Sequence, residues 1–293
     1  MKMRPEDIAW SPESLGRRGG EGDVRVRWLG TAGFALEHQG HVVLIDPYVT
    51  RASLARCVAS PLRPDLSAIR RWVPEADAIV AGHTHFDHVL DVPDIALSTG
   101  ARVFGSRSAA TLCLARGLPS ARVEVVEPEP GQAPAEREVG PFRLRFVPSA
   151  HSKLLLGRVP APGEIADCTD VPMRAEAYRC GAVFGVEIRV AGRTIYHMGS
   201  AELVEANVQV KHVDLLLMCV AGWTSSPRLP ERVAQSLAPA AILLSHWDDF
   251  LRPLDQPLHA LPAMRLPQLV ERLGFAAPSV RMGTLPALGE VWA

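Results

Sequence analysis

Four potential metal ligands within six residues, in the run Ala81-Gly82-His83-Thr84-His85-Phe86-Asp87-His88, constrain this chain more than any other feature. They directly follow residues 76–81, a short apolar run that reads as a buried strand entering Gly82. His83 and His85 lie two apart, so on extended or loop backbone they point the same way and can share one ion. Asp87 and His88 then turn to face a second ion beside the first. Neutral imidazoles with one carboxylate suit a borderline cation such as zinc. Histidine makes up only 10 of 293 residues, so chance clustering is a poor explanation.

Bulk properties exclude several other classes. With 47% hydrophobic and 22% charged residues the chain is of ordinary globular make-up, long enough for a substantial core. A formal net charge of −1 recruits neither nucleic acid nor an anionic membrane. The apolar run at 213–222 is about half of a membrane span. Residues 1–23 are polar, charged and glycine-containing, with no signal-peptide core. They are expected to form an N-terminal arm, on which Ile8-Ala9-Trp10 could dock against the body, and the protein is expected to be cytoplasmic. Cys57, Cys113, Cys168, Cys180 and Cys219 form no C-x-x-C pair and read as buried or idle thiols, Cys219 as core.

Along the chain, short apolar runs alternate with turn residues. Residues 24–29 have the period of a half-buried strand, 34–37 and 41–45 continue an antiparallel meander through the Gln39-Gly40 reversal, and 65–72 read as a helix behind an acidic cap. A helix at 106–116 and strands at 123–126 and 142–147 follow, then a long aperiodic stretch at 152–179. The pattern restarts with a hairpin through Ala191-Gly192, a short helix near 202–206, strands at 213–220 and 241–245, helices near 231–237 and 267–273, and a last strand. Two similar halves without a linker fit two sheets packed face to face with helices outside, as one domain over residues 24–293.

With that order in view, His83-x-His85-x-Asp87-His88 resembles the signature of the metallo-β-lactamase superfamily. Leu44-Ile45-Asp46-Pro47, Ser149-Ala150-His151 and Leu243-Leu244-Ser245-His246 match the family's further motifs, each at a strand end. The resemblance implies an αββα sandwich of two mixed sheets. It also implies His83, His85 and His151 on one metal, Asp87, His88 and His246 on another, and Asp46 as a buried supporting carboxylate. One departure stands out: where many family hydrolases place a metal-bridging Asp, this chain has Ser200. That set is similar to the β-lactamase subclass with three His at one site, Asp-His-His at the other and Ser in this slot. The overall motif also resembles the sugar-lactonase and phosphodiesterase relatives.

The resemblance implies a zinc-dependent hydrolase, with one or two ions and manganese or iron as alternatives. A metal-activated water, oriented by Asp87 and giving its proton to it, would attack as hydroxide a small anionic ester, lactone or phosphodiester. A β-lactam hydrolase and an iron-dependent redox enzyme are the rival readings. Lys153, Arg158 and Arg174 in the 152–179 stretch are expected to cover the cleft and bind substrate, and Trp247 and Asp248 either to line its mouth or to orient His246. The expected partner is a small molecule, without nucleic acid or membrane; a homo-oligomer is compatible.

Overall fold

Strands β1 (Arg25–Gly30), β2 (Gly33–His38) and β3 (His41–Ile45) form the expected antiparallel meander. Its Gln39-Gly40 reversal takes positive φ at both residues (50° and 75°), as a two-residue hairpin requires. Strands β4 (Ala78–Val80), β5 (Arg102–Gly105) and β6 (Val123–Val125) then add in parallel to β3. The computed structural model describes residues 3–129, 131–154, 157–168 and 171–293.

The second half repeats this plan. Strands β7 (Glu136–Val139), β8 (Phe142–Ser149), β9 (Val183–Val190) and β10 (Arg193–His197) pair antiparallel, with the Ala191-Gly192 turn again at positive φ, 52° and 71°. Strands β11 (Leu215–Cys219), β12 (Ala241–Ser245) and β13 (Arg281–Gly283) follow in parallel. Strand β14 (Glu290–Trp292) then crosses to the first sheet and pairs with β1, so the chain closes on the strand where the fold begins. Each sheet has seven strands among the described residues. This is the αββα sandwich the sequence implies.

Alternation divides the apolar residues between two layers. Val43 and Ile45 of β3 and Val80 of β4 face the second sheet, where Phe104 stacks on Phe146 with ring centroids 5.7 Å apart. Leu44 and Ile79 point the other way, under helices α2 (Leu66–Trp72), α4 (Val92–Thr99) and α5 (Arg107–Ala115). Helices α6 (Leu229–Leu237) and α7 (Leu266–Ala276) bury Leu229, Val233, Leu269 and Leu273 in the core of the second half. Strands covered on both faces explain why their runs look continuously apolar. The remaining helices, α1 (Leu54–Ala59) and α3 (Phe86–Val89), flank the strand ends of the first sheet.

Two local features depart from the sequence reading. Helix α4 and strand β5 have no periodic signature, because α4 opens on Val92-Pro93 and β5 has four residues; burial of Val92, Ile95 and Ala96 holds the helix. The helix expected near 202–206 is a 3-10 turn at Glu205–Asn207. In the N-terminal segment, of which residues 1 and 2 lie outside the described residues, Ala9 bridges Thr284 and Trp10 N–H donates to the Thr284 carbonyl at 2.9 Å. No helix among the described residues is long and apolar enough to cross a membrane.

Trp28 on β1 packs on Trp247, just beyond β12, at 5.2 Å between centroids and so joins the two sheets. Trp28→Ala should destabilise the protein by about 3–5 kcal/mol. Asp65→Ala removes only the cap that accepts from Ser67 N–H and Ala68 N–H on α2 and should cost about 1 kcal/mol. Urea denaturation measures both, and similar costs would mean that Trp28 does not carry the contact between sheets.

Candidate metal centre

The chemistry gathers where strands end. β3 ends immediately before Asp46, β4 shortly before Gly82 and His83, β8 shortly before His151, β10 shortly before Ser200 and β12 immediately before His246. Open α/β sheets place ligands at such carboxyl ends, where loops rather than strands set the side-chain directions. Asp46 and His246 both take left-handed backbone, φ 46° and 59°, which turns them off their strands.

Two groups of donors result. In His83, His85 and His151 the ligand atoms lie within 4.8 Å of one another, and His83 Nε2 is 3.1 Å from His85 Nδ1. Asp87, His88 and His246 form a second group within the same limit, with His246 Nε2 3.3 Å from Asp87 Oδ2. The groups abut, the His83 and His88 rings being 3.8 Å apart. Asp46, His83 and His88 also lie within 4.8 Å, but both Asp46 oxygens are already engaged. Oδ1 accepts Gly82 N–H at 2.5 Å and Oδ2 meets His88 Nδ1 at 2.8 Å. A Cβ on Gly82 would stand 2.8 Å from Asp46 Oδ2, so only glycine allows this approach. Asp46 therefore supports His88.

The donor set fits divalent metal on grounds internal to the structure. His85 Nε2 faces the Pro160 carbonyl at 2.9 Å, His151 Nδ1 the Ser152 carbonyl at 2.6 Å, and His88 Nδ1 faces Asp46. Each such acceptor takes one ring N–H and leaves the opposite nitrogen's lone pair for a metal. Burial pushes His83 well below the ordinary imidazole range, lowers His85, and brings His151 to about 4, so these rings are neutral at neutral pH, the form in which imidazole can bind a metal. Burial works against charge on His88 too, but Asp46 outweighs it and raises this ring. Burial also opposes ionisation of Asp87, yet its hydrogen bond to His246 and the charge of His88 hold its carboxyl below the usual carboxylate range.

Ser200 lines the same cavity, its Oγ accepting Ser152 N–H at 3.1 Å. It tethers the residue after His151. His197 is fully buried with Nε2 on the Ala32 carbonyl, and Glu202 pairs with Arg232 at 2.8 Å.

A second device holds His246. Its N–H donates to the Thr31 carbonyl at 2.8 Å, and Thr31 N–H donates to Asp248 at 3.1 Å. Asp248 meets Arg51 at 2.7 Å, both side chains wholly buried, as an ionic contact without hydrogen-bond alignment. Gly30 makes the space: a Cβ there would lie 1.6 Å from the Arg51 guanidinium. The turns after β1, β3 and β12 are thus joined behind the donors.

In front of them lies a cavity of about 760 Å³ with largely apolar walls that include Phe86, Leu154, Ala161, Ala221, Phe250 and Met264. The residues expected to bind substrate are elsewhere. Lys153 and Arg158 are exposed and do not line it; Arg174 is exposed and donates to Glu176 and to the Val58 carbonyl. Trp247 is buried on Trp28, with Nε1 donating to the Leu244 carbonyl, and Asp248 is buried on Arg51. Neither lines the mouth; both lie behind His246. The 152–179 stretch does border the cavity through Leu154, Pro160, Ala161, Ala175, Glu176 and Tyr178, although residues 155, 156, 169 and 170 lie outside the described residues. Among the lining residues that sequence reasoning missed is Arg265, which follows a 3-10 turn at Pro262–Met264 and carries no motif.

With this geometry established, comparison with known proteins is informative. A family described as "Beta-lactamase superfamily domain" matches residues 25–246. A "UPF0173 metal-dependent hydrolase" of Anaeromyxobacter sp. (strain K) is 26% identical over 238 residues, covering 78% of this chain and 76% of that protein. Among solved structures, a metallo hydrolase from the archaeon Ignicoccus hospitalis superposes with a TM-score of 0.56 at 13% identity, over 92% of this chain and 98% of that one. CmlA, a diiron β-hydroxylase from Streptomyces venezuelae, gives 0.54 at 14% identity, over 94% of this chain and 55% of that one.

The Arg51–Asp248 pair can be separated from the fold by experiment. Asp248→Asn leaves Arg51 buried and unpaired, a loss of about 3–5 kcal/mol, and loosens the turn that carries His246. The expected result is a lower Tm together with loss of metal from the Asp87, His88 and His246 group before the three-histidine group. A lower Tm with all bound metal retained would mean that the pair holds only the fold.

Proposed function

The chain belongs to the β-lactamase superfamily, and from that membership we propose that it is a metal-dependent hydrolase of a small molecule with an ester, lactone or phosphodiester bond. The observation that carries the proposal is the pair of three-donor groups set at one 760 Å³ cavity. The name of the Anaeromyxobacter relative points the same way. His83, His85 and His151 would hold one ion and Asp87, His88 and His246 another, with zinc the cation best matched to five imidazoles and one carboxylate. When bound, such cations supply Lewis-acid activation of a water and of the substrate's oxygen.

The chain's own residues supply orientation and a dry surround. Asp46, Pro160 and Ser152 fix the rings of His88, His85 and His151. Asp87, held ionised, can accept a hydrogen bond from the attacking water. A carboxylate that acidic is a weak base, so its contribution is orientation more than proton abstraction. The apolar walls exclude bulk water and strengthen every charge interaction inside. One carboxylate is the only negative charge among the six donors, so acidic substrates are favoured. Residues 24–293 act as the hydrolase unit in this reading, in the cytoplasm and without nucleic acid or membrane.

A second reading has specific support. Asp87, His88 and His246 have the two-histidine, one-carboxylate composition that non-haem iron also takes, and the diiron hydroxylase neighbour shares the fold. Metal analysis after aerobic purification, followed by assays of esters, lactones and phosphodiesters with zinc, manganese or iron added back, decides between them. Hydrolysis restored by zinc alone supports the first reading; iron with oxygen consumption and no hydrolysis overturns it.

Ser200 adds a graded test. A serine hydroxyl is a poor zinc ligand, so the three-histidine group should bind the tighter ion and the Asp87 group the weaker. Ala in place of His83, His85 or His151 should therefore release at least one metal per chain. Ser200→Asp should tighten the weaker ion in a calorimetric titration while turnover need not improve. Equal, tight binding of two ions by the wild type, unimproved by the Asp variant, would contradict the role given to Ser200.

A further inference from the structure

The charges on the cavity wall are few and unequally paired. Among its described lining residues, the charged side chains apart from histidine are Asp87, Glu176 and Arg265. Asp87 belongs to the donor groups and meets His246 at 3.3 Å. Glu176 is met by the guanidinium of Arg174 at 2.8 Å, outside the lining. Arg265 has no hydrogen bond, ion pair or ring contact from its guanidinium to any described residue. It is also the only arginine or lysine among the described lining residues.

Its placement is built by the backbone. Trp223 Nε1 donates to the Met264 carbonyl at 2.6 Å, pinning the residue before it. Arg265 itself is left-handed, φ 43°, between the 3-10 turn Pro262–Met264 and α7. An arginine in that conformation carries strain that glycine would not, yet an exposed, uncommitted cation stands here at the edge of an apolar wall. A guanidinium without an internal partner beside apolar surface is suited to bidentate recognition of a carboxylate or phosphate.

We propose that Arg265 recognises the acidic group of an amphipathic substrate, whose apolar body lies along Phe86, Phe250, Leu154 and Met264 while its hydrolysable bond reaches the donor groups. The inference rests on the hydrolase reading for the reaction but not for the binding. Its ligand class is an acid on an apolar chain, in which the acidic group is separate from the bond that is cleaved. This replaces the sequence expectation that Lys153, Arg158 and Arg174 supply the positive charge.

The test uses the zinc-loaded full chain and two measurements. Calorimetry compares octanoate with octanamide, which share an apolar chain and differ in charge. Kinetics compares 4-nitrophenyl butyrate with the half-ester 4-nitrophenyl hydrogen glutarate. Arg265→Ala should weaken octanoate on the order of tenfold and leave octanamide unchanged. It should raise KM for the acidic ester by a similar factor with kcat little altered, and Arg265→Lys should restore part of both. Arg265→Gly, which relieves the left-handed backbone, should lose octanoate without losing stability, so a folding defect cannot mimic the result. Equal weakening of both ligands, or no preference for octanoate in the wild type, overturns the proposal. Arg265-dependent octanoate binding in a protein that cleaves no ester would leave it standing while the hydrolase reading falls.

Discussion

A carboxylate buried without exposure must find donors for both oxygens, and Asp46 finds them at the one place where β3 and β4 end side by side. Its bond to Gly82 N–H locks the two strand ends in register, and its contact with His88 fixes a ring one helical turn further on. The left-handed backbone at Asp46 is the strain that this geometry costs. Because residues 83–88 begin at Gly82, the position of every donor in that run depends on the same carboxylate.

On the opposite side of the sandwich the same problem is solved with an ion pair. His246 leaves β12 in a left-handed turn, and nothing in its own strand directs the ring. Thr31 and Arg51 of the first sheet hold the His246 main chain and the neighbouring Asp248, so the placement of one sheet on the other bears on where His246 lies. Trp28 against Trp247 fills the space beneath. Energetically the pair is a poor stabiliser, since burying two charges offsets most of their attraction. Its value is geometrical: it fixes a turn that packing alone would leave loose.

Burial keeps His83, His85 and His151 neutral. Burial disfavours the charged imidazolium, and neighbouring imidazoles would repel it further. His88 differs from these three because Asp46 faces it directly. One ring nitrogen of His85, His88 and His151 is already committed to a protein acceptor, which leaves the other facing the cavity side of the group.

The meander, the hairpin turns and the ligand spacing were legible in the amino-acid sequence because each is local. Alternation shows which face is buried, Gln39-Gly40 and Ala191-Gly192 tolerate the backbone that a tight turn needs, and His83 and His85 share a direction through a period of two. The αββα order was legible too, through the restart of the strand pattern in the second half and the motifs at its strand ends. The crossing of β14 to β1, the carbonyls of Pro160 and Ser152 that orient rings, the burial of Trp247 and Asp248 behind His246, and the arrival of Arg265 at the cavity were decided by tertiary structure alone. Every residue has a carbonyl and many loops have an arginine, so residue type does not say which one is used. That choice is made when distant turns are packed against one another, and a one-dimensional pattern carries no record of those distances.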